Sequence, residues 1–341
     1  MAIIRKGISF IWVFREESSF AGLRRDFYRP VIATAQREDG MIGRRGFLAA
    51  TGGVLLLSAA GAQAAEASKN KATKGAGNDA FAARMADLEG RTGGRLGVAM
   101  LDSGSGRLHG WRGDERFPMC STFKFLLAAA VLKTVDQGKD LLDRQIPVTK
   151  ADLVPYAPFS ETRLNGTPPT VAELCEAAMT LSDNVAANLL LPGVGNPAGL
   201  TAFLRGIGDR TTRLDRNEPT LNTAIPGDPR DTTTPAAMVR SMQRLLVGDV
   251  LRPDSRRLLI DWMVANKTGD KRLRAGLPAG WRVGDKTGTG TNGTANDIAI
   301  LWPEGRAPLL VASYLTQTAE GFRQQDAIHA DVARAVTGLI G

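Results

Sequence analysis

The chain has 341 residues, of which 43% are hydrophobic and 23% charged, with 43 Lys+Arg against 35 Asp+Glu for a net charge of +8. This is ordinary globular composition, long enough for one large domain or two smaller ones. Two histidines (His109, His329) and two cysteines (Cys120, Cys175) leave no spacing for a zinc cluster, a C-x-x-C redox pair or a disulfide framework. A Ser-His-Asp triad would have to use an isolated histidine, so catalysis falls to Ser, Lys, Glu and Asp.

Half of the positive excess lies in residues 1–64, which hold nine Lys+Arg and five Asp+Glu. Elsewhere bases are interspersed with acids and few aromatics lie among them, so no nucleic-acid partner is expected. Arg44-Arg45-Gly46-Phe47-Leu48 stands directly before a mildly apolar run that ends in Ala62-Gln63-Ala64. This pattern predicts a twin-arginine export signal cleaved near Ala64/Ala65, with a periplasmic or secreted product and no stable membrane association afterwards. Met41 lies just before the twin arginine, so residues 1–40 read as an over-extended start or a dispensable leader. Residues 65–79, small, polar and Lys-rich, read as a linker.

The body begins with a helical pattern from Phe81 to Leu88. A hairpin follows, Arg95 to Asp102 and Arg107 to Trp111 around Ser103-Gly104-Ser105-Gly106. From Thr122 to about Ala265 the pattern is largely helical. Trp281 to Lys286, Asn296 to Trp302 and Leu309 to Leu315 read as strands, and Gln324 to Leu339 as a closing helix. Strands at both ends with helices between predict an α+β chain. Its sheet domain would be built from 80–111 and 265–341, with a helical domain over 112–264 inserted between them.

Four separated motifs carry chemistry. Ser121-Thr122-Phe123-Lys124 opens an apolar helix, placing a hydroxyl and an amine on one face at i and i+3. A helix N-terminus favours negative charge, and a desolvated lysine accepts a proton readily; an ordinary N-cap with a surface lysine fits the same residues. Ser182-Asp183-Asn184 follows the apolar run Val171 to Leu181 and reads as a proton-relaying hydroxyl beside a carbonyl-binding amide, or as a capping turn. Lys-Thr-Gly occurs twice. Lys267-Thr268-Gly269 follows a helical run, so Gly269 reads as its C-cap. Lys286-Thr287-Gly288 ends a strand, where glycine permits close approach of a ligand and Lys with Thr suits a carboxylate. Finally, Glu218 and Asn222, four residues apart in a Pro- and Asp-rich loop, are spaced to hold one water, and Arg216 and Asp231 to pair across that loop. An irregular surface loop is the plainer reading.

In their joint order these residues resemble the class A serine β-lactamases. Ser121, Ser182, Glu218 and Lys286 are separated by 61, 36 and 68 residues, similar to that family's spacing. The stretch 214–232 looks like its Ω-loop, and the resemblance covers roughly 80–341. It implies an antiparallel sheet flanked by helices plus an inserted all-helical domain. It also implies hydrolysis of β-lactam antibiotics, a small-molecule substrate, no cofactor or metal, and a monomer. Ser121 would attack the lactam carbonyl, with Lys124 or Glu218 acting through water as base. The N–H groups of Ser121 and Thr289 would form the oxyanion hole. Ser182, influenced by Lys286, would protonate the lactam nitrogen. Asn184 would bind the acylamido group, and Lys286, Thr287, Gly288 and Thr289 would bind around the carboxylate. Glu218 and Asn222 would activate the deacylating water.

In many members an arginine beyond the second Lys-Thr-Gly strand helps bind the substrate carboxylate; Ala295 occupies that position here, and Arg272 matches an alternative arginine to which the resemblance gives that job. Tyr156 resembles the aromatic at the cleft mouth. Cys120 and Cys175 match cysteines whose partner positions are Gly290 and Ala128, which implies free thiols and counts against a carbapenemase. A penicillin-binding DD-peptidase or a non-hydrolysing penicillin sensor would share the Ser-Lys, Ser-x-Asn and Lys-Thr-Gly chemistry. The peptidase should lack the Glu218/Asn222 water site, and the sensor would acylate and stall.

Overall fold

The computed structural model describes residues 79–340. The expected leader and export signal, and all of the linker but its last residue, lie outside that range. A helix over 79–90 (α1) buries Phe81, Met85 and Leu88, the i, i+4, i+7 set of one helical face. The hairpin forms as expected, β1 Arg95–Asp102 against β2 Leu108–Trp111. Its turn is held by Gly106 N–H to Asp102 O at 2.8 Å, with Gly106 at φ +69°.

β3 Phe117–Pro118 pairs with a distant β4 Thr232–Thr233, closing the base of the loop that carries Glu218. The helices between are α2 Phe123–Asp136, α3 Val171–Thr180, α4 Asn184–Leu190 and α5 Asn196–Gly206. α6 Pro235–Met242 and α7 Pro253–Val264 follow. α2 is buried on every side from Phe123 to Leu132, as expected of a helix apolar all round. α3 starts at a capping box, Thr170 with Glu173.

β5 Arg282–Gly290, β6 Thr294–Trp302 and β7 Leu309–Thr316 complete one sheet, ordered β2-β1-β7-β6-β5 and antiparallel throughout. The last helix, α8, runs Phe322–Gly338. Both faces of the sheet are covered, so its central strands are buried at nearly every position instead of alternating. One face, with Val98, Met100, Val311 and Leu315, packs on α1 and α8 through Phe81, Met85, Ile328 and Val332. The other, with Ala99, Ile298, Ala312 and Tyr314, joins the core of the helices around α2. Among the described residues no helix is long and apolar enough to cross a membrane.

Two local readings need correction. The Lys286-Thr287-Gly288 segment does not end its strand; β5 continues through it to Gly290, paired with β6 at every residue. Gly269 is not a helix C-cap, because α7 closes at Ala265. A Cβ on Gly269 would fall 1.9 Å from Asp285 Oδ2, so a close tertiary approach demands the glycine.

Candidate active site

The site lies where the first turn of α2, the α3–α4 junction and β5 meet. Cys120 takes φ +44° and starts a short 3₁₀ turn, Cys120–Thr122, that feeds α2. Tyr156 and Ser182 are also left-handed, at φ +67° and +62°. Such conformations cost about 1–3 kcal/mol each in non-glycine residues and concentrate at functional sites. The burial of α2 carries Lys124 with it, leaving its side chain at 0% exposure.

Lys124 Nζ donates to Ser121 Oγ at 3.1 Å, Ser182 O at 2.7 Å and Asn184 Oδ1 at 2.6 Å, and pairs with Glu218 Oε1 at 3.0 Å. Burial pulls its pKa down, against the opposing pull of the Glu218 carboxylate. The Ser121 hydroxyl donates to the same Glu218 Oε1 at 3.3 Å. Burial in turn pushes the neighbouring Cys120 thiol up, so that sulfur is an inert packing group; both cysteines are free.

Asp183, in the expected capping turn, and Asn188, which escaped sequence reasoning, fix this geometry. Asp183 accepts from Phe159 N and Ser160 N at 3.0 and 2.9 Å while capping α4 through Ala186 N at 2.8 Å. That pins the 155–160 segment, whose Pro155 O accepts from Asn184 Nδ2 at 2.8 Å. Asn188, one turn beyond Asn184, accepts from Glu218 N at 3.0 Å and donates to Glu218 O at 2.9 Å. The i, i+4 spacing of Asn184 and Asn188 was its only sequence signal. The loop itself is closed by Arg216 and Asp231, Nε to Oδ2 2.6 Å, and within it Asn222 Nδ2 donates to Glu218 Oε2 at 2.5 Å.

On the sheet side Lys286, also fully buried, donates from Nζ to Ser182 Oγ at 3.1 Å and to Thr287 O at 2.8 Å. Burial, reinforced by the charge of Lys124, lowers its pKa to about 7, while Asp285 and Asp297 pull the other way. Asp285 is held by Asn266 Nδ2 at 2.6 Å and by Arg274. Asp297 sits fully buried and is raised by burial and by Asp285. A Cβ on Gly288 would lie 2.7 Å from Met119 O and 3.2 Å from Ser121 N, so only glycine lets β5 press this close to the nucleophile's turn.

Arg272 Nη2 donates to Thr289 Oγ1 at 2.8 Å, Nη1 to Gly288 O and Asn296 O at 2.8 and 2.7 Å, and Nε to Asp326 at 2.8 Å. Most of its donors are thereby spent on the strand, so it steadies Thr289 as much as it faces the cleft. Thr268, another residue missed, meets Thr287 hydroxyl to hydroxyl at 2.5 Å.

The cleft between these walls holds about 360 Å³. Nine of the twelve residues picked from sequence line it, and Thr268 is the tenth. Lys124, Glu218 and Lys286, the other three, lie buried just beneath its floor. Tyr156 stands 59% exposed at the mouth. Neither histidine lines the cleft: His329 is buried under β6, bonded to Ser313 and Ala295 O, and burial lowers it to about 3.

A serine hydroxyl touching a buried amine and a buried carboxylate, with a second hydroxyl, Ser182 Oγ, between Lys124 at 3.4 Å and Lys286 at 3.1 Å, defines a histidine-free serine hydrolase. Comparison with known proteins agrees. Residues 80–340 match the β-lactamase enzyme family. The chain is 48% identical over 262 residues to β-lactamase OXY-2 of Klebsiella oxytoca, covering 77% of this chain and 90% of that one. To β-lactamase L2 of Stenotrophomonas maltophilia it is 48% identical over 310 residues, 88% of this chain and 100% of the other. A solved class A β-lactamase reconstructed as the last common ancestor of Gram-negative bacteria superposes with a TM-score of 0.76 at 64% identity, covering 77% of this chain and 100% of that one. The chain belongs to the class A β-lactamases.

Proposed function

We propose that this chain hydrolyses β-lactam antibiotics through an acyl-enzyme on Ser121, and so confers resistance to them. The observation that carries the proposal is the Glu218 carboxylate, which touches Ser121 Oγ through one oxygen and the Asn222 amide through the other. One base thus reaches both the nucleophile and a water site.

In acylation the Ser121 proton passes toward Glu218 while the Lys124 ammonium steadies the developing alkoxide. Oγ bonds to the lactam carbonyl, and backbone N–H groups of Ser121 and Thr289 hold its oxygen. As the carbon–nitrogen bond breaks, Ser182 gives its proton to the nitrogen and is reprotonated by Lys124 across their 3.4 Å contact. Lys124 in turn takes up the serine proton from Glu218 across their 3.0 Å pair, which leaves Glu218 a carboxylate again, while Lys286, 3.1 Å from Ser182 Oγ, steadies that hydroxyl. Asn184 orients the substrate's acylamido group. Lys286, Thr287 and Thr289 hold its carboxylate, with Gly288 giving clearance and Arg272 steadying Thr289. Tyr156 covers the mouth. In deacylation Glu218 takes a proton from water held against Asn222, whose Oδ1 has no protein donor among the described residues. The hydroxide cleaves the ester and the proton returns to Oγ.

The test is hydrolysis of a chromogenic cephalosporin followed by intact-protein mass spectrometry. Wild type turns over. Glu218→Gln accumulates an acyl-enzyme of substrate mass, and Ser121→Ala forms no adduct and loses at least about 10³-fold in rate. Wild type that reacts once and stalls would instead identify a penicillin sensor or DD-peptidase. Export through the twin arginine belongs to the same proposal, as does a monomer without a nucleic-acid partner. The double substitution Arg44→Lys with Arg45→Lys should keep the enzyme in the cytoplasm, and the exported wild-type product should begin near Ala65.

A further inference from the structure

Outside the cleft, three arginines without a carboxylate partner among the described residues line one cavity of about 580 Å³. Arg116 enters from the residue before β3, Arg205 from the last turn of α5, and Arg210 from the turn that follows.

Two of the three are anchored on the same loop. Arg116 Nη1 donates to Thr211 O at 3.0 Å and to Thr232 Oγ1 at 2.9 Å. Arg205 Nη1 donates to Asp209 O at 2.6 Å and to Thr212 O at 2.7 Å. Only Nη1 is spent in each case, on neutral oxygens that fix the side chain without cancelling its charge. The Nε/Nη2 edge of both guanidiniums, the fork that grips an oxyanion with two parallel N–H groups, has no protein acceptor among the described residues.

One carboxylate, Asp215, lines the cavity, and it and the nearby Asp209 are already paired or hydrogen-bonded. Asp215 is held by Arg213 at 2.5 to 3.1 Å. Asp209 is 4% exposed, and its oxygens accept from Thr211 N, Thr212 N, Thr212 Oγ1 and Ser241 Oγ. The fourth arginine of the wall is Arg213, whose charge Asp215 offsets.

We propose that this cavity binds a phosphate group, carried by inorganic phosphate or a small phosphate ester. A carboxylate satisfies one fork. Two anchored forks with a third guanidinium call for a tetrahedral dianion that shares its oxygens among them. Anchoring in advance also lowers the side-chain entropy lost on binding.

Isothermal titration of the purified protein with inorganic phosphate at low chloride tests this, with Arg210→Glu and Arg205→Gln beside wild type. Wild type should show saturable one-site binding. Each variant should weaken it by about tenfold or more while leaving cephalosporin hydrolysis unchanged. Arg210 is exposed, so its variant reads the charge without disturbing the loop. Binding weaker than roughly 10 mM, or equal affinity in all three proteins, overturns the proposal. So does pelleting with phosphatidylglycerol vesicles without phosphate binding, which would make this a membrane-facing patch.

Discussion

The tripeptide Lys-Thr-Gly occurs twice in this chain, at 267–269 and 286–288, and the two copies lie side by side with their threonine hydroxyls 2.5 Å apart. Lys267 is exposed and has no role in the cleft, whereas Lys286 is fully buried, close to neutral pKa and bonded to Ser182. Gly269 makes room for Asp285, the carboxylate behind Lys286, and Gly288 makes room for the turn that carries Ser121. Identical residues therefore do different work: the first copy braces the wall and lends it only Thr268, while the second forms it. The difference comes from burial and from neighbours distant in sequence.

Substitution of the two lysines should break the symmetry most sharply. Lys286→Ala removes a buried charge-assisted contact worth about 2–5 kcal/mol, so kcat/KM for a chromogenic cephalosporin should fall roughly 30- to 5,000-fold. Lys267→Ala should stay within about twofold, as expected of an exposed side chain. Similar losses from both would sink the assignment.

The pH profile sharpens the same contrast. With its pKa lowered to about 7, Lys286 is cationic below that pH and neutral above it. Attraction for a substrate carboxylate should therefore weaken as pH rises, giving kcat/KM a basic limb near 7. A bound carboxylate favours the cation, so the limb in kcat should lie at higher pH. The limb should persist in Lys267→Ala and be missing from Lys286→Ala. Stability runs the opposite way: between about 7 and the ordinary lysine value of 10.5 the unfolded chain binds more protons at this group, so its contribution to stability rises with pH across that window.

The smallest effect should come from the glycine of the supporting copy. In Gly269→Ala the new methyl meets Asp285, which Asn266 and Arg274 hold in place. Overpacking there should cost about 1–3 kcal/mol in urea unfolding, with the chemical step changed far less than in Lys286→Ala. An unchanged unfolding midpoint would show that the two copies are less tightly braced than the contact implies.

Much of this was legible beforehand, and the exceptions share a cause. The helical run at 125–132, the hairpin and the strands after 281 follow from local periodicity, which survives without tertiary context. The end of β5 was misjudged because Lys-Thr-Gly-Thr-Gly has no strand-like side-chain pattern. Its strand character comes from pairing with Thr294–Trp302 along the whole length. The capping role of Asp183 is legible because it is local, whereas Asn188 and Thr268 act on a backbone group or hydroxyl reached only through folding, as when Asn188 brackets Glu218 across 30 residues.

What the sequence determined by itself was the cast and its order. Few histidines and cysteines excluded the common catalysts, and two Ser, two Lys, one Glu and two Asn at family-like spacing supplied a replacement. Tertiary structure decided which of those groups are chemically unusual. It desolvated Lys124 and Lys286 and brought Glu218 to Ser121 across 97 residues. It also turned one of two identical tripeptides into a substrate-facing edge. The reason is that a side chain's proton affinity and reach depend on the dielectric and charges around it, which exist only once the chain has folded.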